Sequence, residues 1–217
     1  MSQIQAILFD LDGTLADTAP DLGYALNLLL AEHNRPTLPH EIIRPVASHG
    51  TKGLIKLGFD IGPEHPGFNA LKHDFLAYYE QYLCHRTSLF PGVNNLLAQL
   101  KTRHVPWGIV TNKPFRYTQP LIRALNLDND ASCCISGDTT PFSKPHPEPL
   151  LFAARQLGYE PKTCLYVGDA KRDIEAARLA EMNSLVALYG YLASEDEPET
   201  WQASGLIKTP AGLLDFL

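Results

Sequence analysis

The sequence predicts an α/β fold, a parallel sheet covered by helices on both faces with a helical segment inserted after the first strand. Three observations carry this. Short, continuously apolar and β-branched runs alternate with segments of helical periodicity through the second half of the chain. The first apolar run ends abruptly on two aspartates and a glycine, Asp10-Leu11-Asp12-Gly13. Between positions 18 and 84 helical patterns recur without a convincing strand.

Residues 4–9 are apolar and β-branched enough for a buried first strand, and residues 106–111, 132–136, 163–167 and 184–188 have the same character. Apolar runs without polar alternation are what strands buried on both faces require. Helical patterns at 115–125, 148–157 and 172–180 separate the last four strands, and another at 92–100 precedes them, which is the order of βαβ crossovers. In the insert, Thr18 is placed to cap a helix with Pro20 and Asp21 in its first turn. Leu22, Ala25, Leu26, Leu29 and Leu30 then fall at helical spacing. Further helices are expected around 39–47, 52–57 and 70–84, with hinges at 15–17 and 85–91.

A length of 217 residues suits one large domain, or a core plus a smaller insert, and 45% hydrophobic residues suffice for a full core. The net charge is −6 and no basic run stands out, which argues against a nucleic-acid partner. Cys84, Cys133, Cys134 and Cys164 form no C-x-x-C pair and read as reduced thiols rather than disulfides or a zinc site. Residues 1–15 lack a basic leader, and their apolar run is broken at Asp10 and Asp12, so they read as a strand rather than a signal peptide. No stretch has the length of a membrane span. A cytoplasmic location is expected, and oligomeric state is not legible.

The chemistry is concentrated where strands end. In an open α/β sheet, ligands bind beyond the carboxyl ends of the strands, and Asp10 and Asp12 are placed there. Two carboxylates one residue apart can divide their labour, one as metal ligand and nucleophile, the other as proton shuttle. A specified D-x-D-G-T arises by chance with probability on the order of 10⁻³ in a chain of this size.

Asp10 to Asp17 matches throughout the D-x-D-G-T-L-x-D motif of the haloacid dehalogenase superfamily, which the sequence resembles. The family's other motifs resemble Val110-Thr111-Asn112, then Lys144-Pro145-His146-Pro147, then Val167-Gly168-Asp169-Ala170-Lys171-Arg172-Asp173, in family order. The resemblance covers essentially the whole chain. It implies a Rossmann-like parallel-sheet core at 1–16 and 86–217, with a small all-helical cap domain at 17–85. It also implies a Mg2+-dependent phosphatase acting on a small phosphorylated metabolite through an aspartyl-phosphate.

By that resemblance Asp10 is the nucleophile and Asp12 the general acid/base. Mg2+ is held by Asp10, the backbone carbonyl of Asp12 and Asp169, with Asp173 supporting the shell directly or through water. Thr111, the N–H of Asn112 and Lys144 bind and neutralise the phosphate, and Thr111 and Lys144 are counted with the catalytic set. In the cap, Ser48, His49 and Lys52 occupy the expected substrate-specificity loop, although related caps often carry glycine near the position of Ser48. Dehalogenases resemble this core but lack the second aspartate, so Asp12 points to phosphate chemistry.

Phosphosugar mutases of this cap type usually carry D-T-x-x-x-H after the first motif. Here Asp17-Thr18-Ala19-Pro20-Asp21-Leu22 lacks that histidine. Phosphonatases need a cap lysine as a Schiff base, and nothing in the sequence marks Lys52 or Lys56 as buried. The segments around Thr111 and Lys144, together with Tyr189-Gly190-Tyr191 and Glu195-Asp196-Glu197-Pro198, resemble the phosphoglycolate phosphatase-like branch, including N-acetylmuramic acid 6-phosphate phosphatases. A mutase of the same fold and a non-catalytic phosphometabolite-binding protein are the alternatives.

Overall fold

The computed structural model describes residues 3–217. Strand β1 (Ala6–Phe9) is followed by a two-residue strand β2 (Ala16–Asp17) and by helices α1 (Ala19–Glu32), α2 (His40–Ile43), α3 (Gly50–Phe59) and α4 (Phe68–Gln81). The chain returns through β3 (Ser88–Leu89) and α5 (Val93–Thr102) to β4 (Trp107–Val110), α6 (Phe115–Ala124), β5 (Cys133–Ile135) and α7 (Glu148–Leu157). It closes with β6 (Cys164–Gly168), α8 (Lys171–Leu179), β7 (Asn183–Ala187) and β8 (Gly205–Ile207).

Six strands form one parallel sheet in the order β5-β4-β1-β6-β7-β8. The chain builds outward from β1 through β4 and β5, then crosses back to lay β6, β7 and β8 on the other side. Direction therefore reverses at β1, and that switch opens a crevice at the carboxyl ends of β1, β4 and β6. All four residues of β1 are buried, Ile7 and Phe9 in the larger apolar cluster and Ala6 and Leu8 in the smaller one. This is why the strand reads as an unbroken apolar run.

The strands and core helices lie within a few residues of their expected bounds. Strand β8 was not anticipated. It is a three-residue edge strand containing a glycine and the exposed Leu206, and so has neither length nor apolar continuity. The helix expected at 39–47 is instead the short α2 followed by a 3-10 turn, Arg44–His49. Pro45 has no N–H to donate, which interrupts the α-helical ladder there.

The two expected hinges meet. β2 and β3 pair antiparallel, Ala16 with Leu89 and Asp17 with Ser88. Asp21, at 1% exposure, fixes the junction by accepting from the N–H groups of Arg86 and Thr87 and from the Thr87 hydroxyl. Thr18 holds the N-cap position of α1 but does not cap it. Its hydroxyl donates to Asp12 Oδ1 at 2.5 Å, and the Tyr191 hydroxyl accepts the Thr18 and Ala19 N–H groups at 2.6 and 2.9 Å. A residue some 170 positions away thus satisfies the helix end. Between β2 and β3 the chain is helical only, and Leu22, Leu26 and Leu29 of α1 are buried in the same apolar cluster as Leu54 and Ile55 of α3 and Phe75 of α4.

Candidate active site

Each motif residue lies just past a strand: Asp10 after β1, Thr111 after β4, Asp169 after β6, with Lys144 in the loop after β5. Asp10 is 3% exposed, and its Oδ1 accepts the Leu11 N–H at 2.8 Å and faces Lys144 Nζ at 2.9 Å. Lys144 is buried. Its Nζ also lies 2.7 Å from Asp173 Oδ1 and donates to the Val110 carbonyl at 3.0 Å and the Tyr166 hydroxyl at 2.6 Å. The Asn112 side chain fixes this lysine by a two-way clamp, donating to the Lys144 carbonyl and accepting the Lys144 N–H, both at 2.9 Å. The Thr111 hydroxyl accepts the Lys113 N–H at 3.1 Å.

Asp12 is surrounded differently. Its Oδ1 accepts from Thr18 and faces Lys113 Nζ at 2.8 Å. Lys113 lies over the Tyr79 ring, 4.8 Å from its centroid, and the Tyr79 hydroxyl is buried without a hydrogen-bond partner. Burial alone would lower the Lys113 pKa, but Asp12 and Tyr79 together outweigh it and raise it, so the ammonium stays charged.

Asp10, Asp169 and Asp173 each bring a carboxylate oxygen within 4.8 Å of the others. The Asp12 carboxylate is not in this cluster, being directed to Thr18 and Lys113. Asp173 has both oxygens engaged, Oδ1 by Lys144 and Oδ2 by the Ala170 N–H, which ties it to the start of α8. Asp169 Oδ2 accepts the Tyr191 N–H at 2.8 Å and the Ser48 hydroxyl at 2.9 Å, whereas Oδ1 is buried with no partner. The backbone wraps this carboxylate closely. A Cβ on Gly13, at φ +85, would stand 2.0 Å from Asp169 Oδ2, and one on Gly190 would stand 2.4 Å from Asp169 Cβ. An orphaned, buried carboxylate oxygen among three converging acids fits a hard divalent cation such as Mg2+.

The electrostatics agree. Burial pushes Asp10 up to about 6, against the pull of Lys144. Burial pushes Asp169 up to about 7, with Asp173 and Asp10 adding to the rise. For Asp173 burial is outweighed by Lys144 and Arg172, which hold it below the usual carboxylate range. Carboxylates that resist ionising together are ready to exchange protons for a metal.

A cavity of about 860 Å³ opens over these residues. Asp10, Asp12, Thr111, Asn112, Lys113 and Arg172 line its floor, and Ser48, His49, Lys52, Lys56 and Lys72 line the helical side. Leu22, Phe68, Phe75, Leu76, Tyr79 and Tyr117 give it an apolar flank. The structure thus brings Asp10, Asp12, Thr111, Asn112 and the 48–52 loop to one space. Lys144, Asp169 and Asp173 are not among its lining residues. Ser48 turns its hydroxyl to Asp169. Sequence reasoning missed Lys113, Tyr166, Arg172 and Tyr191. Lys113 and Arg172 stand inside or beside the motifs, and Tyr191 lies in the Tyr189-Gly190-Tyr191 run, but nothing local signals their long-range partners.

A family model described as haloacid dehalogenase-like hydrolase matches residues 7–187. An N-acetylmuramic acid 6-phosphate phosphatase of Pseudomonas putida is 38% identical over 211 residues, 97% of this chain and 95% of that protein. A phosphoglycolate phosphatase of Xanthomonas campestris pv. campestris is 41% identical over 209 residues, 96% and 94% of the two chains. The crystal structure of a predicted phosphoglycolate phosphatase from Haemophilus somnus 129pt superposes with a TM-score of 0.87 at 30% identity, covering 99% of this chain and 98% of that one. With a match of this extent in motif, length and fold, the chain belongs to the haloacid dehalogenase-like hydrolase family.

Proposed function

We propose that this protein is a Mg2+-dependent phosphatase that hydrolyses a small phosphate monoester through an aspartyl-phosphate on Asp10. The observation that carries this is the division between neighbouring carboxylates. Both line the cavity, but Asp10 is held by the sealed Lys144 beside the acidic cluster, while Asp12 pairs with Lys113, itself a lining residue. In the first step an Asp10 oxygen attacks phosphorus and the P–O bond to the organic group breaks. Asp12 donates its proton to that leaving oxygen. In the second, Asp12 takes a proton from a water that attacks the aspartyl-phosphate, releasing inorganic phosphate and restoring Asp10. Thr111, the Asn112 N–H and Lys144 balance the phosphoryl charge. Bound at Asp10, the Asp12 carbonyl and Asp169, with Asp173 in support, Mg2+ would relieve repulsion between carboxylate and phosphate dianion.

Residues 17–85 act as the cap in this reading, with His49 and Lys52 among the groups that meet the far end of the ester. The relatives' names offer 2-phosphoglycolate and N-acetylmuramic acid 6-phosphate as substrates. A cavity of about 860 Å³ with an apolar flank and lysines at 52, 56 and 72 favours the larger, carboxylated sugar ester, because pockets of about 300–1,000 Å³ enclose drug-sized ligands. Phosphate release from both esters and from hexose phosphates, with and without Mg2+, tests this. Release should require Mg2+, be fastest with N-acetylmuramate 6-phosphate and vanish in Asp10→Asn. Activity surviving that substitution on every substrate would rule the mechanism out, and isomerised phosphosugar without phosphate release would mean a mutase.

A further inference from the structure

Asp169 is held by donors from two directions. The Tyr191 N–H, from the loop after β7, reaches Oδ2 at 2.8 Å, and the Ser48 hydroxyl, from the 3-10 turn Arg44–His49 of the helical segment, reaches the same oxygen at 2.9 Å. The turn carrying Ser48 is itself fastened to the loop carrying Tyr191. Arg44 donates to the Gly190 carbonyl at 2.8 Å and the Tyr189 carbonyl at 3.3 Å, and its guanidinium lies 4.9 Å from the Tyr191 ring centroid. These contacts cross from the helical segment to the sheet, over 121 residues for Ser48 and 146 for Arg44 along the main bond. The remaining oxygen, Oδ1, is buried and unpartnered.

We propose that Ser48 is a positioning residue for Asp169, so that seating the helical segment on the loop at Tyr189–Tyr191 and binding the divalent cation favour one another. The inference rests on the metal role given above to Asp169. When the segment is seated, Ser48 and Tyr191 together fix the carboxylate with Oδ2 occupied and Oδ1 presented to the cluster. When it lifts, Ser48 is withdrawn and the carboxylate keeps one donor and more rotational freedom. Partners that orient a metal-binding carboxylate commonly change metal affinity by about 10–100-fold. Coupling is reciprocal, so whatever affinity the cation gains from the seated segment, the seated segment gains from the cation. Arg44 acts through the same contact, as the fastening that keeps Ser48 in reach.

The test is binding of Mn2+ alone, followed by its electron paramagnetic resonance signal, in wild type, Ser48→Ala, Ser48→Thr, Arg44→Ala and the Ser48→Ala/Arg44→Ala double variant. Wild type should bind one ion in a manner lost in Asp169→Asn. Ser48→Ala should weaken binding about tenfold, and Ser48→Thr, which keeps the hydroxyl, should restore it. Arg44→Ala should weaken it as well, and adding Ser48→Ala should then cost little more, because the hydroxyl is already out of reach. Thermal unfolding without metal, unchanged in Ser48→Ala, would show that the loss is not general destabilisation. If wild type bound no Mn2+ at Asp169, the metal reading and this inference would fall together. If wild type bound it and Ser48→Ala bound it equally well, or if the two losses simply added, the coupling alone would be overturned.

Discussion

Lys144 and Lys113 both reach back to the aspartates that end β1, under different conditions. The Lys144 contacts are sealed, with side-chain exposures of 0% for Lys144, 4% for Asp10 and 0% for Asp173. The Lys113–Asp12 pair keeps 8% and 16% and lines the cavity. A sealed charge has no water to turn to, so its partners must remain in place through the reaction cycle. A pair at the cavity wall can trade a partner for substrate or water. The difference matches the roles proposed for the two acids: a nucleophile wants a fixed position, and a proton shuttle wants access.

Removing Lys144 should break this contrast most severely. In Lys144→Ala, Asp10 and Asp173 lose their shared buried cation, and the Val110 carbonyl and Tyr166 hydroxyl lose a donor. Loss of one partner of a buried ion pair costs about 3–5 kcal/mol, so denaturant unfolding should shift by that amount while phosphate release falls below detection. A variant of near-native stability would mean that the acids simply take up protons in place of the lysine.

The acidic cluster makes the sealed side sensitive to pH when no divalent cation is supplied. Asp10 and Asp169 have ordinary values of 3.8 and are raised in the folded protein to about 6 and about 7. Between those limits the folded state holds more protons than the unfolded one, so stability falls as pH rises. Their contribution is full below pH 3.8 and lost by about pH 7. Asp173 is shifted the other way, so its contribution is present above the ordinary carboxylate value and is lost as pH falls through its lowered one. Metal-free protein should therefore unfold at progressively lower temperature from pH 5 to pH 7.5. Added Mg2+ should raise the midpoint more at pH 7.5 than at pH 5, because the cation displaces protons at the lower pH. Equal Mg2+ shifts at both values would count against the cluster as the binding site.

On both sides of this contrast the motif residues are the legible part. Asp10 and Asp12 follow β1, Thr111 and Asn112 follow β4 and Asp169 follows β6, and apolar continuity locates those strands, whereas Lys144 and Asp173 are legible from their motifs alone. What the sequence does not disclose is the set of contacts between distant segments. Lys113 meets Asp12 across 101 residues, Tyr191 caps α1 in place of Thr18, and Ser48 meets Asp169 across the gap between the helical segment and the sheet. A lysine after a strand, a tyrosine after another and a serine in a turn each have ordinary local explanations. Only their packing selects the partner. The same holds for β8, whose three residues become a strand because β7 offers an edge.

Lys113→Met is the gentler perturbation, and it asks whether the cavity-facing pair is chemistry or scaffold. Methionine keeps much of the stem volume that lies over the Tyr79 ring, and Asp12 retains its bond from Thr18 and its access to water. Folding stability should fall by about 1–3 kcal/mol, the cost of leaving a buried polar group short of a partner, and less than in Lys144→Ala because Asp12 keeps its bond from Thr18 and lines the cavity. Turnover should nevertheless fall about 10–100-fold, less than the roughly 10²–10⁴-fold that a proton-transfer group itself contributes because Asp12 is mis-set and not removed, and mostly in kcat, because the Asp12 proton moves after the ester is bound. A loss confined to KM would instead make Lys113 a contact for the substrate, with the lysine leaving Asp12 for an anionic group on the ester. A loss in stability equal to that of Lys144→Ala would erase the distinction between the two pairs.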